Sequence, residues 1–161
     1  PLGQTTIEEK VHETQEAIRN GADEIDYVLN VGEVKNGNYN YIRKEMEAIV
    51  GVCRREGVIS KVIFEICYLT EEEIIQIAKI AKEVKPDFVK TSTGFGPGGA
   101  TAEAVKLMKQ TVGDEIKVKA AGGIRSWADC KAMLDAGAER IGTSSTLKIL
   151  EEFDAKRKKE N

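Results

Sequence analysis

A chain of 161 residues that is 41% hydrophobic and 32% charged has the size and balance of a single globular domain over residues 1–161, and no run approaches the roughly 20 apolar residues of a membrane-spanning helix. With a net charge of -3 and no basic stripe it is a poor ligand for nucleic acid. Its three cysteines, Cys53, Cys67 and Cys130, are too scattered for a disulfide framework or a zinc site, and no metal is expected. The opening Pro1-Leu2-Gly3-Gln4 is unlike a secretory leader, so a cytoplasmic protein is expected.

The first expected helix starts at a cap on Thr5 or Thr6, with Glu8 or Glu9 three residues on, presents Ile7, Val11 and Ile18, and stops at Asn20-Gly21. His12, the only histidine, is expected on its solvent side. A strand from Glu24 to Asn30 follows, with Ile25, Tyr27 and Leu29 on one face and Glu24, Asp26 and Asn30 on the other. After the Asn36-Gly37-Asn38 turn comes a helix from about Tyr39 to Glu56. The strand Lys61 to Ile66 repeats the split, with Val62, Phe64 and Ile66 opposite Ile63 and Glu65.

Thr70 and Glu73 form a capping box for a helix that ends near Lys85-Pro86, and a strand Phe88 to Thr91 runs into the glycine-rich Gly94-Phe95-Gly96-Pro97-Gly98-Gly99. A helix from about Thr101 to Gln110, a strand Ile116 to Ala121, a helix opened by Ser126 and closed by Gly137, a strand Arg140 to Thr143 and a last helix from Ser145 complete the order. In the Ile116 strand, Ile116, Val118 and Ala120 share one face and Lys117 and Lys119 the other. The basic run Lys156-Arg157-Lys158-Lys159 reads as a solvated helix end.

Strands that alternate with helices need crossover connections, which predicts a parallel sheet. Three strands follow a similar helix stop, at Gly21-Ala22-Asp23, Lys85-Pro86-Asp87 and Gly137-Ala138-Glu139, as repeated βα units would. Asp26, Glu65, Lys90 and Lys119 all fall on the less apolar strand face. A doubly wound sheet would bury those charges under helices, whereas the lumen of a barrel would collect them near its C-terminal mouth.

Lys90 is the anomaly in this pattern, an ammonium in the run Phe88-Val89-Lys90-Thr91. A lysine there can keep an edge strand soluble, or it can be a reactive amine. With Lys119 on a neighbouring strand, like-charge repulsion and partial burial both lower lysine pKa values, and an amine near neutrality attacks a carbonyl to form a Schiff base. Asp26 is a candidate to move protons through a water. The same four charged residues could instead form a structural ion-pair network.

Gly122-Gly123-Ile124-Arg125-Ser126 and Gly142-Thr143-Ser144-Ser145 each join a strand to a helix N-terminus, where backbone N–H groups suit a phosphate, with ordinary helix capping by Ser126 and by Ser144 or Ser145 as the competing reading. Gly94, Gly96 and Gly99 satisfy the dinucleotide spacing G-x-G-x-x-G. A dinucleotide fold needs an acidic residue at the end of the next strand, and that strand ends Lys119-Ala120-Ala121-Gly122.

The segments Gly21-Ala22-Asp23-Glu24-Ile25-Asp26, Lys61-Val62-Ile63-Phe64-Glu65, Phe88-Val89-Lys90-Thr91-Ser92-Thr93-Gly94-Phe95, Lys119-Ala120-Ala121-Gly122-Gly123-Ile124-Arg125 and Arg140-Ile141-Gly142-Thr143-Ser144-Ser145 together give the chain a close resemblance to the deoxyribose-phosphate aldolase family over nearly its whole length. The resemblance implies an α/β fold of the TIM (β/α)8-barrel type and reversible cleavage of 2-deoxyribose 5-phosphate to glyceraldehyde 3-phosphate and acetaldehyde through an imine and an enamine. It implies Lys90 as the Schiff-base lysine, Lys119 as the lysine that tunes it and Asp26 as the acid/base partner, with no organic cofactor. Gly94, Gly122, Gly123, Ser144 and Ser145 would surround the substrate phosphate, and Thr93, Arg125 and Gly142 complete the expected binding set.

Two departures stand out against the family pattern. Ile66 replaces a small polar residue, and the chain starts after the family's third strand, without an early aspartate of the proton relay. Only the last five of eight strands are then expected, with exposed edges at Glu24–Asn30 and Arg140–Thr143. A fragment of a longer polypeptide or a homo-oligomer would cover those edges. A non-catalytic βα fragment that binds a phosphorylated small molecule or a partner subunit is the competing reading.

Overall fold

The computed structural model describes residues 2–160. Strands β1 (Glu24–Val28), β2 (Ile59–Ile63), β3 (Phe88–Lys90), β4 (Lys117–Ala121) and β5 (Arg140–Gly142) form one sheet in chain order, each parallel to the next. Helices α1 (Ile7–Arg19), α2 (Val31–Lys35), α3 (Tyr39–Glu56), α4 (Glu71–Val84), α5 (Ala102–Val112), α6 (Trp127–Asp135) and α7 (Thr146–Glu160) lie between and around the strands. A doubly wound sheet reverses its strand order at a switch point, and this sheet does not. Consecutive neighbours with helix crossovers are the order of a (β/α) barrel wall.

The alternation within each strand assigns the two faces. Ile25 and Tyr27, Val62, Val89, and Val118 and Ala120 are buried in one continuous core with apolar residues of the helices. The other face holds Glu24 and Asp26, Lys61, Phe88 and Lys90, Lys117 and Lys119, and Arg140. Helices pack on the apolar face alone, as a barrel wall requires and as the charge pattern predicts.

Local chemistry sets the helix limits. The Thr6, Thr70, Thr101 and Ser126 hydroxyls each accept the backbone N–H three residues on, at 3.1 to 3.2 Å. The Glu73 carboxylate in turn accepts Thr70 N–H at 2.8 Å, completing the expected capping box. The three similar helix stops share a left-handed residue: Gly21 at φ 94°, Lys85 at φ 62° and Gly137 at φ 108°. At Gly137 an added Cβ would also lie 2.9 Å from Lys109 Cγ, so two independent reasons require glycine there.

Three expectations need correction. The first strand ends at Val28, because the Asn30 side chain accepts Glu33 N–H at 3.2 Å and opens the short helix α2. The second strand starts at Ile59 and ends at Ile63, and Ile66 opens a 3-10 turn through Tyr68. Glu65 has therefore left the strand, and its backbone is left-handed at φ 56°.

Beneath the C-terminal end of β1 lies a buried ion pair unrelated to the charged face. Lys10 Nζ donates to Glu45 Oε1 at 2.5 Å and to Val28 O at 2.8 Å, and Glu45 Oε2 accepts Asn30 N–H at 3.1 Å. Burial pushes the Lys10 amine down and the Glu45 carboxyl up, while their mutual attraction opposes both shifts. The pair fixes α1 and α3 to the strand that carries Asp26.

Candidate active site

Parallel register brings together four charged residues from four consecutive strands: Asp26 is paired with Lys61, Ile63 with Lys90, and Lys90 with Lys119. Their side chains converge on the Asp26 carboxylate. Oδ2 accepts from Lys90 Nζ at 2.8 Å and lies 3.5 Å from Lys119 Nζ, and Oδ1 lies 2.9 Å from Lys61 Nζ. The expected trio of Asp26, Lys90 and Lys119 is thus assembled in one place.

Burial opposes ionisation of Asp26, but hydrogen bonds from Lys90 and Lys61 and the nearby charges of Lys90 and Lys119 outweigh it and hold the carboxyl down at about 2. Asp26 is an anion at any physiological pH. Burial also lowers the Lys119 pKa. The Asp26 charge works against that shift, and the Lys90 and Lys61 charges add to it. Lys119 can therefore release and recover a proton more readily than a solvated lysine.

Lys61 is the participant that sequence reasoning missed. It is only 2% exposed, and its ammonium is held between Asp26 and Glu24 and 5.7 Å from the Phe88 ring. Glu24 in turn accepts from Arg140 Nη1 at 2.5 Å, so a chain of charges runs from β5 through β1 and β2 to the central carboxylate. Hydrogen bonds from Lys61 and Arg140 lower the Glu24 pKa. A lysine at a strand start looks like a solvated end. The available signal was its parity, which puts Lys61 on the Asp26 face.

Glu65, expected among these charges, is absent from them. Its carboxylate accepts Thr93 N–H at 3.2 Å and the Thr93 hydroxyl, so it belongs to the glycine turn. That hydroxyl also accepts Phe95 N–H at 3.0 Å, which commits Thr93 to shaping the turn.

The remaining binding candidates lie on three turns in mutual contact. An added Cβ on Gly122 would sit 3.8 Å from Gly94 Cα and 3.0 Å from Gly99 Cα, so two backbones touch where any side chain would part them. Thr143 joins the second and third turns, donating to Ile124 O at 2.6 Å and accepting Ser145 N–H at 2.9 Å. The N–H groups of Gly94, Gly123 and Ser144 have no acceptor among the described residues. Ser126 caps α6, and Asp129 accepts Arg125 N–H at 3.0 Å, which leaves Arg125 its exposed side chain for a ligand. Gly142 supports the lysine site, since an added Cβ would lie 3.2 Å from Lys119 Cε and 2.9 Å from Ala121 Cβ.

A wall of consecutive parallel βα units that carries paired lysines on one carboxylate, with glycine turns after the strands, defines a TIM-barrel-type α/β protein with an amine site. The chain belongs to the DeoC/LacD aldolase family, whose model, described as DeoC/LacD family aldolase, matches residues 2–152. A deoxyribose-phosphate aldolase of Lactobacillus acidophilus is 58% identical over 158 residues, which is 98% of this chain and 67% of that protein. One of Thermococcus gammatolerans is 54% identical over 151 residues, covering 94% and 67%. The chain thus spans about two thirds of the length of these curated relatives.

Among solved structures, QR15, an aldolase, superposes with a TM-score of 0.87 at 45% identity, covering 98% of this chain and 70% of that one. A deoxyribose phosphate aldolase from Aeropyrum pernix, described as a unique tetramer, superposes at 0.86 with 32% identity, covering 96% and 65%. No helix among the described residues is long and apolar enough to cross a membrane.

Proposed function

We propose that the protein is a class I aldolase that reversibly cleaves 2-deoxyribose 5-phosphate to glyceraldehyde 3-phosphate and acetaldehyde. The observation that carries the reading is the Asp26 carboxylate shared by Lys90 and Lys119 at 2.8 and 3.5 Å, on the strand face that opens towards the glycine turns. It agrees with the names of the relatives.

In this reading the free amine of Lys90 attacks the C1 aldehyde of the open-chain sugar, and loss of water gives a protonated imine. A base takes the proton of the C3 hydroxyl, the C2–C3 bond breaks, and its electron pair becomes the C1–C2 double bond of an enamine while glyceraldehyde 3-phosphate leaves. A proton returned to C2 and attack of water at C1 release acetaldehyde and the amine. Lys119 is suited to carry these protons because its pKa is lowered, and Asp26 acts as the anion that holds both ammonium groups and orders a water between them. The unspent N–H groups of Gly94, Gly123 and Ser144, with the side chains of Arg125, Ser144 and Ser145, take the phosphate. The reaction is assigned to the cytoplasm, and self-association of the chain forms part of the proposal.

Borohydride reduction in the presence of acetaldehyde tests it. The expected result is an added ethyl group, a mass increase of about 28 Da, located on Lys90 by peptide mapping and absent in Lys90→Leu. A folded protein that binds inorganic phosphate yet gives no adduct would instead support a non-catalytic phosphate-binding module.

A further inference from the structure

We infer that Glu65 is a positioning residue that sets the phosphate-receiving turn, an inference that rests on the placement of phosphate at Gly94 in the proposed function. Its backbone is the first reason. At φ 56° and ψ 61° the residue occupies a region that glycine or asparagine fills without difficulty and that costs other residues on the order of 1 kcal/mol or more. Here the residue in that conformation is a glutamate whose side chain is buried and hydrogen-bonded.

The carboxylate itself is the second reason. Residue 65 is 4% exposed, and its donors come from one turn: Thr93 N–H at 3.2 Å and the Thr93 hydroxyl, with Cys67 Sγ at 4.0 Å beside it. Because that hydroxyl also accepts Phe95 N–H at 3.0 Å, one carboxylate determines the positions of residues on both sides of Gly94. Gly94 at φ 92° is thereby held between two fixed neighbours with its N–H unspent. The far side of the turn closes on the same group, where a Cβ on Gly96 would lie 3.5 Å from Glu65 Oε1 and 2.9 Å from Cys67 Sγ.

The link also spans two strands, since Glu65 follows β2 and Thr93 follows β3. Phe64 N–H donates to Lys90 O at 2.9 Å and Ile66 N–H to Thr91 O at 3.0 Å, so Glu65 is anchored on either side to the segment that carries the candidate nucleophile. Its side chain nevertheless reaches the turn and stays out of the Asp26 cluster. Loss of the carboxylate therefore loosens phosphate binding and leaves amine chemistry at Lys90 intact.

The test is Glu65→Gln, because Thr93 N–H and the Thr93 hydroxyl donate to different carboxylate oxygens and the amide replaces one of these acceptors with an NH2 donor. Inorganic phosphate is titrated by NMR into wild type and variant, with the Gly94 and Gly123 amide shifts as readout, and acetaldehyde trapping on Lys90 is run in parallel. Wild type is expected to shift on titration. The variant is expected to bind about tenfold more weakly, to exchange the Phe95 amide faster and to trap acetaldehyde as wild type does.

Thr93→Val, which deletes the hydroxyl bridge, is expected to weaken phosphate binding and speed Phe95 amide exchange likewise, and the double variant to lose less than the product of the two effects. It also supplies the comparison if Glu65→Gln does not fold. Unchanged phosphate affinity in the folded variants, or no phosphate shift in wild type, overturns the inference. Phosphate binding that depends on Glu65 in a wild type that traps no acetaldehyde sustains the inference and overturns the aldolase reading.

Discussion

Lys90 and Lys119 converge on a single oxygen, Asp26 Oδ2, at 2.8 and 3.5 Å, while the other oxygen of that carboxylate is held by Lys61 at 2.9 Å. One anion thus serves three cations, and it gives each a different partner geometry. Lys90 hydrogen-bonds Oδ2 from a partly open position, Lys119 makes the looser contact, and Lys61 hydrogen-bonds Oδ1 from near-complete enclosure.

Asp26→Asn removes the charge that raises the Lys119 pKa and leaves the charges that lower it. The Lys119 amine is expected to titrate at a lower pH in the variant, measured by its methylene carbon shifts. Turnover of 2-deoxyribose 5-phosphate is expected to fall by about 10²–10⁴ as the ordered proton path is lost. A Lys119 titration that moves upward would show that Asp26 has another role.

The same carboxylate makes stability depend on acid. A carboxyl at about 2 in the fold and at about 3.9 in the unfolded chain contributes stability that is fully present above about pH 4 and is lost as pH falls towards 2. Urea unfolding of wild type and Asp26→Asn is expected to differ by roughly 2 kcal/mol at pH 6, narrowing steadily below pH 4. A constant difference down to pH 2.5 would remove Asp26 from the acid response.

Lys119 has the opposite effect on stability. Its lowered pKa means that the protonated form is disfavoured by folding, a penalty present below the folded value and relieved as pH rises towards the unfolded value near 10.4. Lys119→Met is accordingly expected to raise Tm at pH 7 by on the order of a few degrees while abolishing turnover, and the gain should shrink as pH rises towards about 10.4. Calorimetry across that range measures it.

Lys61→Met tests the charge chain from Arg140 to Asp26. Breaking a buried pair costs about 3–5 kcal/mol, but Glu24 keeps Arg140 and Asp26 keeps two lysines, so about 1–3 kcal/mol is expected from denaturant unfolding. The Asp26 pKa should rise, since a hydrogen bond that lowers it is gone.

Two glycines should respond differently to a single methyl group. In Gly142→Ala the new Cβ meets Lys119 Cε at 3.2 Å, the flexible end of a side chain, but also the rigid Ala121 Cβ at 2.9 Å, so a folded but destabilised protein with reduced turnover is expected. In Gly99→Ala it meets Gly122 O at 2.2 Å and Gly122 C at 2.4 Å, which are backbone atoms of another turn. That variant is expected to lose more than about 3 kcal/mol or fail to fold, as thermal melts of the pair will show.

The division between sequence and tertiary structure follows from the range of each signal. Strand alternation, caps at Thr6, Thr70 and Ser126, and stops at Gly21 and Gly137 are local, so the βα order and the two strand faces were legible from residues alone, as were Asp26, Lys90 and Lys119 as one group. Where the polar face bends away was not legible, because it depends on when the chain leaves the sheet. Glu65 shares the parity of Lys61 and Ile63, yet the strand ends at Ile63, and a left-handed backbone turns Glu65 to Thr93 instead of the lysines.

Lys61 shows the converse. Only parallel register sets it level with Asp26, and only the approach of Glu24 to Arg140, 116 residues apart in sequence, encloses its ammonium. Sequence determined which strand face carries the charges. Tertiary structure decided which of them hold Asp26, because charge pairing depends on distances that no local pattern encodes.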